Sequence, residues 1–203
     1  MPIELDLYNV IYLTFRLFPI ILPTYFVLSS LFSQDFKGII YLAGLLFASF
    51  ISLLMGNSIE NQYQGSIISL NPDEKCKLIT LNGASPVSKV PLSQAVYAYT
   101  FAYICTIIQL HSDKNNNLWF QNMATVLFLG ILIVSDMIWT YTNQCNTGVG
   151  IGVSFLTSGL FGLLWAWMID RSGAVKLQYF NGLSNRTYCS RPSTQVFKCS
   201  NKK

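Results

Sequence analysis

The sequence predicts an all-α integral membrane protein of about five transmembrane helices, with one sizeable loop and a basic C-terminal tail. Three observations carry that prediction. Of 203 residues, 52% are hydrophobic and 11% charged, whereas an ordinary soluble domain is about 25% charged. The chain has too few charges to clothe a water-facing surface. Five apolar runs, at residues 7–33, 38–56, 92–110, 119–141 and 148–169, approach the ~20 helical residues that cross a hydrocarbon layer ~30 Å thick. Basic residues are also distributed unevenly around those runs, as the positive-inside bias requires. The organisation is a helical bundle over residues 1–169 followed by a tail over 170–203.

The first run lacks the basic leader of a signal peptide, carries Glu4 and Asp6 instead, and is too long for an h-region, so it reads as a span. Pro19 and Pro23 should kink it, with polar neighbours satisfying the freed backbone groups. Arg16 lies about nine residues into this run, and Asp136 about six residues from the same-side end of the fourth. At ~1.5 Å per residue their depths agree within a few ångströms, which predicts an ion pair that fixes helix order. The alternatives are an Arg16 that snorkels to the interface while Asp136 meets water, or an ion path. A path would need more convergent polar residues at mid-depth than the chain has.

The second run sets Gly44, Ala48, Ser52 and Gly56 at intervals of four, a stripe of small residues that admits a neighbouring backbone. The fifth run repeats the device with Gly148 and Gly152, then Ser158 and Gly162. Packing within one bundle is the expected use, ahead of self-association. The string Gly148-Val-Gly-Ile-Gly152 is no nucleotide loop, because the third glycine and the strand before it are missing. Between the second and third runs, residues 57–91 contain two β-prone stretches, 66–70 and 76–81, around Asn71-Pro72-Asp73-Glu74-Lys75. They read as a hairpin or as an irregular interfacial loop.

Five spans place the termini on opposite sides. The N-terminal side, A, holds Lys75, Lys77 and Lys89 in its loops. The other side, B, holds nine basic residues: Lys37, Lys114, Arg171, Lys176, Arg186, Arg191, Lys198, Lys202 and Lys203. Side B is therefore expected to be cytoplasmic at insertion. Trp119, Trp165 and Trp167 would mark the B boundary and Trp139 the A boundary. A re-entrant span would move the tail to side A. The one glycosylation sequon, Asn185-Arg186-Thr187, would report that reversal.

The tail is more than a charged end. Tyr179, Phe180, Tyr188 and Phe197 alternate with Gly182, Arg191, Pro192, Cys189 and Cys199, whereas disordered tails are poor in aromatics. These residues read as a docking element for a protein partner. A Cys189–Cys199 bridge would close a loop of about ten residues and contribute ~2–3 kcal/mol. Free thiols are the other reading, because a cytoplasmic side is reducing. Cys76 and Cys145 share side A and could join the long loop to the turn between the fourth and fifth runs, while Cys105 lies inside the third run as a small packing residue.

Residues 85–103, "SPVSKVPLSQAVYAYTFAY", resemble the loop-to-helix entry of phosphatidic-acid-phosphatase-type enzymes, and "SFLTSGLFGLLWAWMI" resembles their last helix. That resemblance implies a histidine where Gln94 stands in Pro91-Leu92-Ser93-Gln94. The sole histidine, His111, belongs to side B, away from that loop. A phosphoryl-transferring histidine also needs cationic clamps, so any such relative would be catalytically degenerate. Two tail thiolates with His111 fall short of the four ligands of a closed zinc site. No base stands near a cysteine to activate it. The expectation is a protein that is not an enzyme, with no cofactor or metal, no nucleic acid and no small-molecule substrate, whose partners are the bilayer and other proteins.

The run "LQYFNGLSNRTYCSRPSTQVFKC", with "CKLITLNG", "VPLSQAVYAYTFAYI" and "SGLFGLLWAWMI", resembles uncharacterised multi-span membrane proteins of nucleocytoplasmic large DNA viruses. The resemblance covers most of the chain from the second run onward. It implies residence in a virion inner membrane, derived from the host endoplasmic reticulum and lying beneath an icosahedral capsid. A structural role follows from it: anchoring that membrane to minor capsid proteins. An accessory subunit of another large membrane complex is the alternative.

Overall fold

The computed structural model describes residues 7–63, 90–112, 118–174, 177–178, 188–190 and 198–200, with side chains from Leu17 onward and the two terminal segments by backbone alone. Five helices follow in order: α1 (Leu7–Phe32), α2 (Lys37–Tyr63), α3 (Leu92–Ser112), α4 (Leu118–Thr142) and α5 (Gly148–Arg171). Two short strands close the chain, β1 (Tyr188–Ser190) and β2 (Lys198–Ser200). The hairpin expected over 66–70 and 76–81 and the sequon at Asn185 lie outside the described residues. The loop expected from residue 57 begins later, because α2 runs on to Tyr63. Hydropathy falls at Asn57, but nothing there breaks the helix, and Ser58 Oγ donates to Leu54 O (2.8 Å).

Three stretches are long and apolar enough to cross a membrane: Lys37–Ile59, Leu118–Thr142 and Gly148–Arg171. A shorter apolar stretch covers Leu17–Phe32. Their outward faces carry large apolar side chains such as Phe47, Phe120, Ile131 and Leu160, each more than half exposed, which a soluble protein would bury. The architecture is that of a helical membrane protein. α3 is not among the apolar stretches, since Ser93, Gln94, Thr100, Thr106 and three tyrosines dilute it. It is the central helix, packed against α1, α2, α4 and α5. The most polar helix is thus the most enclosed, and its polar groups bond to the helices around it.

At one end of the bundle α1 turns into α2 around a single serine. Ser30 Oγ donates to Asp35 and accepts from Gly38 N (2.9 Å). Asp35 also accepts from Lys37 N and pairs with its ammonium at 3.2 Å. A Cβ on Gly38 would stand 2.6 Å from Phe26 O and from Ser30 Cβ, so glycine alone allows the helices to cross this closely. Asp35 feels a desolvation penalty that raises its pKa, but the Ser30 hydrogen bond and the Lys37 contacts outweigh it and hold the pKa below normal.

Deeper in, α2, α3 and α5 meet at Gly44. Tyr99 donates its hydroxyl to Tyr41 O, and Trp165 donates its indole N–H to Ile40 O, both at 3.2 Å. A Cβ at Gly44 would collide with the Tyr99 hydroxyl and stand 2.5 Å from Trp165 Nε1. Tyr41 in turn reaches Thr100 Oγ1 at 2.5 Å. The Thr100 hydroxyl already donates to Val96 O (2.7 Å), so Tyr41 is the donor. Rings of Phe26, Tyr41, Tyr99 and Tyr103 lie within 4.8–5.8 Å of one another along this chain of contacts. Gly162 closes on the backbone of Tyr99 and Gly56 on Val90. Ala48, Ser52 and Ser158 are fully enclosed.

Gly148 and Gly152 meet no neighbour within 4 Å among the described residues, so the expected packing of that pair within the bundle is not seen there. Trp165 is half-buried and donates its indole N–H to Ile40 O, near the start of α2, so it also packs between helices. Trp167 is exposed and carries Arg171 over its ring at 5.4 Å. Beyond α5, Gly173 adopts φ +73° and the chain folds back. Gln178 is buried and its Nε2 donates to Ala166 O (3.1 Å). The bundle therefore extends past residue 169 and includes this plug.

Gly44→Ala should destabilise the protein by ~1–3 kcal/mol through overpacking, read as a lower melting temperature in detergent. Gly130→Ala, at a site with open space around it, should raise stability by ~0.5–1 kcal/mol. The pH dependence of the α1–α2 turn follows from the depressed Asp35 pKa. Its stabilising contribution is present above the ordinary carboxylate pKa and is lost as pH falls through the lower folded value. Asp35→Asn should therefore flatten the acid limb of the melting profile.

Candidate functional site

The densest polar arrangement lies at the opposite end of the bundle, where α3 begins. Pro91 precedes the helix, and its carbonyl accepts both from Ala95 N, closing the first turn, and from Ser154 Oγ on α5 (2.8 Å). Ser93 Oγ donates to Asp136 Oδ2 (2.8 Å) on α4. Gln94 Nε2 donates to the same oxygen (2.8 Å) and to Ile133 O (3.2 Å). These bonds fix the amide orientation, because a flipped Gln94 would set its oxygen against two acceptors. Gln94 is fully buried, and its Oε1 has no partner among the described residues. Tyr97 stands close enough for the carboxylate to act on its phenol.

Ser93, Gln94, Asp136, Pro91 and Ser154 thus bind α3, α4 and α5 together at one level. A carboxyl oxygen that collects two donors from a neighbouring helix is a directional tie that apolar contact does not supply. As chemistry the set is incomplete. The Ser93 hydroxyl donates to a carboxylate with no histidine between them. His111 sits 18 residues along the same helix, ~27 Å away by helical rise, with Nδ1 against Ile107 O (3.0 Å).

The residues singled out from the sequence divide as follows. Asp136 is engaged by Ser93 and Gln94 and carries further interactions. Arg16 belongs to α1, but its side chain lies outside the described residues. Two residues from it, the Phe18 ring packs edge-on to Phe128 of α4 (5.6 Å), so the helices bearing Arg16 and Asp136 do meet. Cys145 is disulfide-bonded to a cysteine whose side chain is outside the described residues, and Cys105 is a free thiol. Cys76, Tyr179, Phe180, Arg191 and Phe197 lie outside them. β1 and β2 pair antiparallel with Cys189 directly opposite Cys199 and Tyr188 opposite Ser200.

Sequence reasoning missed the Ser93–Gln94–Asp136 tie. The available signal was depth: a carboxylate near the end of one apolar run and a Ser-Gln pair opening another, both on the same side. Comparisons with protein-family models, curated proteins and solved structures find nothing that matches this chain.

Asp136→Leu should cost ~1–3 kcal/mol, because it strands the Ser93 and Gln94 donors. Asp136→Asn, which keeps one acceptor, should cost less. Thermal melts in detergent separate the two.

Proposed function

We propose that the protein is a non-enzymatic structural membrane protein whose five helices all span the bilayer and whose tail docks onto a protein partner. The carrying observation is the β1–β2 pairing, which sets Cys189 opposite Cys199 in a segment that a membrane anchor does not need. Direct opposition across an antiparallel pair brings Cα atoms to ~4.5–5.5 Å, inside the range a disulfide bridges. A tail closed in this way presents its aromatic and basic residues as a pre-organised surface, which lowers the ordering cost of binding. The bundle supplies the complementary half of the argument. Tyr41, Gln94, Tyr99, Thr100 and Trp165 are spent on internal hydrogen bonds, as suits a rigid anchor.

The partner proposed is a minor capsid protein of a large DNA virus, with the tail on the cytoplasmic side of the membrane at insertion. Cys145 is proposed to pair with Cys76, and Arg16 with Asp136. A degenerate lipid phosphatase is the weaker reading, because Ser93 and Gln94 are turned inward to Asp136.

Deleting residues 179–203 should leave membrane insertion intact and abolish incorporation into virus particles; normal incorporation overturns tail docking. Alkylation of the unreduced protein should label one thiol of the five, Cys105. Three labelled thiols would show that Cys189 and Cys199 are free and remove the pre-organisation argument.

A further inference from the structure

α1 and α4 touch through Phe18 and Phe128 but do not pack along their length. Between them lies a cleft of about 380 Å³, floored by α3. Phe18 and Phe128 close its inner end. Asn122 and Thr125 line its other end, nearer the start of α4, while the floor is apolar and includes Ile107. From Asn122 to Phe128 the α4 wall spans ~9 Å at 1.5 Å per residue. The cleft is a short apolar slot with polar groups at one end only.

Those polar groups are not equivalent to their neighbours. Thr24, Thr100, Thr106, Thr142 and Thr157 each donate their hydroxyl to the carbonyl four residues earlier. Asn122 likewise gives one amide hydrogen to Leu118 O (2.9 Å). The Thr125 hydroxyl lines the slot and bonds to no group among the described residues. In hydrocarbon there is no water to accept from it, and an unmet donor is costly. Protein interiors are packed as densely as organic crystals, so a void of this size beside lipid fills with what is at hand. The slot calls for an apolar rod with a hydrogen-bond acceptor at one end.

We infer that the α1–α4 cleft holds the carbonyl end of one acyl chain of a membrane glycerolipid, with its first few methylenes packed against Ile107 and Phe128 and its ester carbonyl accepting from Thr125 Oγ1. Depth supports this occupant. α4 has 25 residues, ~37 Å by helical rise against ~30 Å of hydrocarbon. Thr125, seven residues from the start of α4, then lies in the outer part of the hydrocarbon on the side where α4 begins, the part of the leaflet that holds the carbonyl ends of its acyl chains. The bound chain completes the packing between α1 and α4, which the protein leaves open. This inference rests on the bundle alone and does not involve the tail.

The test uses the full chain reconstituted in vesicles of phosphatidylcholine that carries a photoactivatable diazirine within the first few carbons of one acyl chain, the part the short slot holds. Photolysis and peptide mass spectrometry should find most adducts on slot residues around Ile107 and Phe128. Thr125→Trp fills the mouth from an exposed position and should abolish those adducts while the melting temperature holds. Ile21→Trp, from the exposed face of the opposite wall, should do the same. Thr125→Val should reduce labelling by the ester lipid but not by its ether analogue. Adducts spread evenly over outward residues such as Leu127 and Ile131, or slot adducts that survive both tryptophan variants, would overturn the inference.

Discussion

A polar group buried among apolar helices must find its partner within the chain, and α3 concentrates that constraint. It is the least apolar of the five helices and the most surrounded. Several of the hydroxyls and amides it carries inward become directional bonds to another helix. Tyr99 reaches a carbonyl of α2, Thr100 accepts from Tyr41, and Ser93 and Gln94 reach the carboxylate of α4. Apolar contact alone gives helices little reason to prefer one neighbour in lipid, because the acyl chains are equally apolar. Here the polar bonds decide which faces meet.

Small residues make those bonds possible. Gly44 leaves the window through which Tyr99 and Trp165 approach the carbonyls of α2, and Gly162 lets α5 close on the backbone of Tyr99. Glycine and hydrogen bond are therefore one device: close approach creates the bond, and the bond justifies the close approach. At Gly148 and Gly152 no neighbour lies within 4 Å among the described residues, and no such bond forms there.

The two ends of the bundle use different chemistry. One is pinned by a serine, an aspartate and a lysine in a tight turn, partly open to solvent. The other is pinned by a carboxylate shared between two donors and by the Pro91 carbonyl that receives Ser154. Between them the α1–α4 seam is loosely packed, which distinguishes it from the bonded seams of α3.

The sequence by itself determined the class of the protein and the course of its helices. Apolar run length, low charge and the spacing of Gly44, Ala48, Ser52 and Gly56 are local properties that need no knowledge of the fold. What only the tertiary structure decided were the partners. Ser93 meets Asp136 across 43 positions and Tyr41 meets Thr100 across 59, and no local period encodes either pairing. The place of Trp165 near the end of a span is visible in the sequence, whereas the α2 carbonyl it serves is not. A stripe of small residues likewise shows where a helix can approach, and only the assembled bundle decides whether one does, as it does at Gly44 and Gly162.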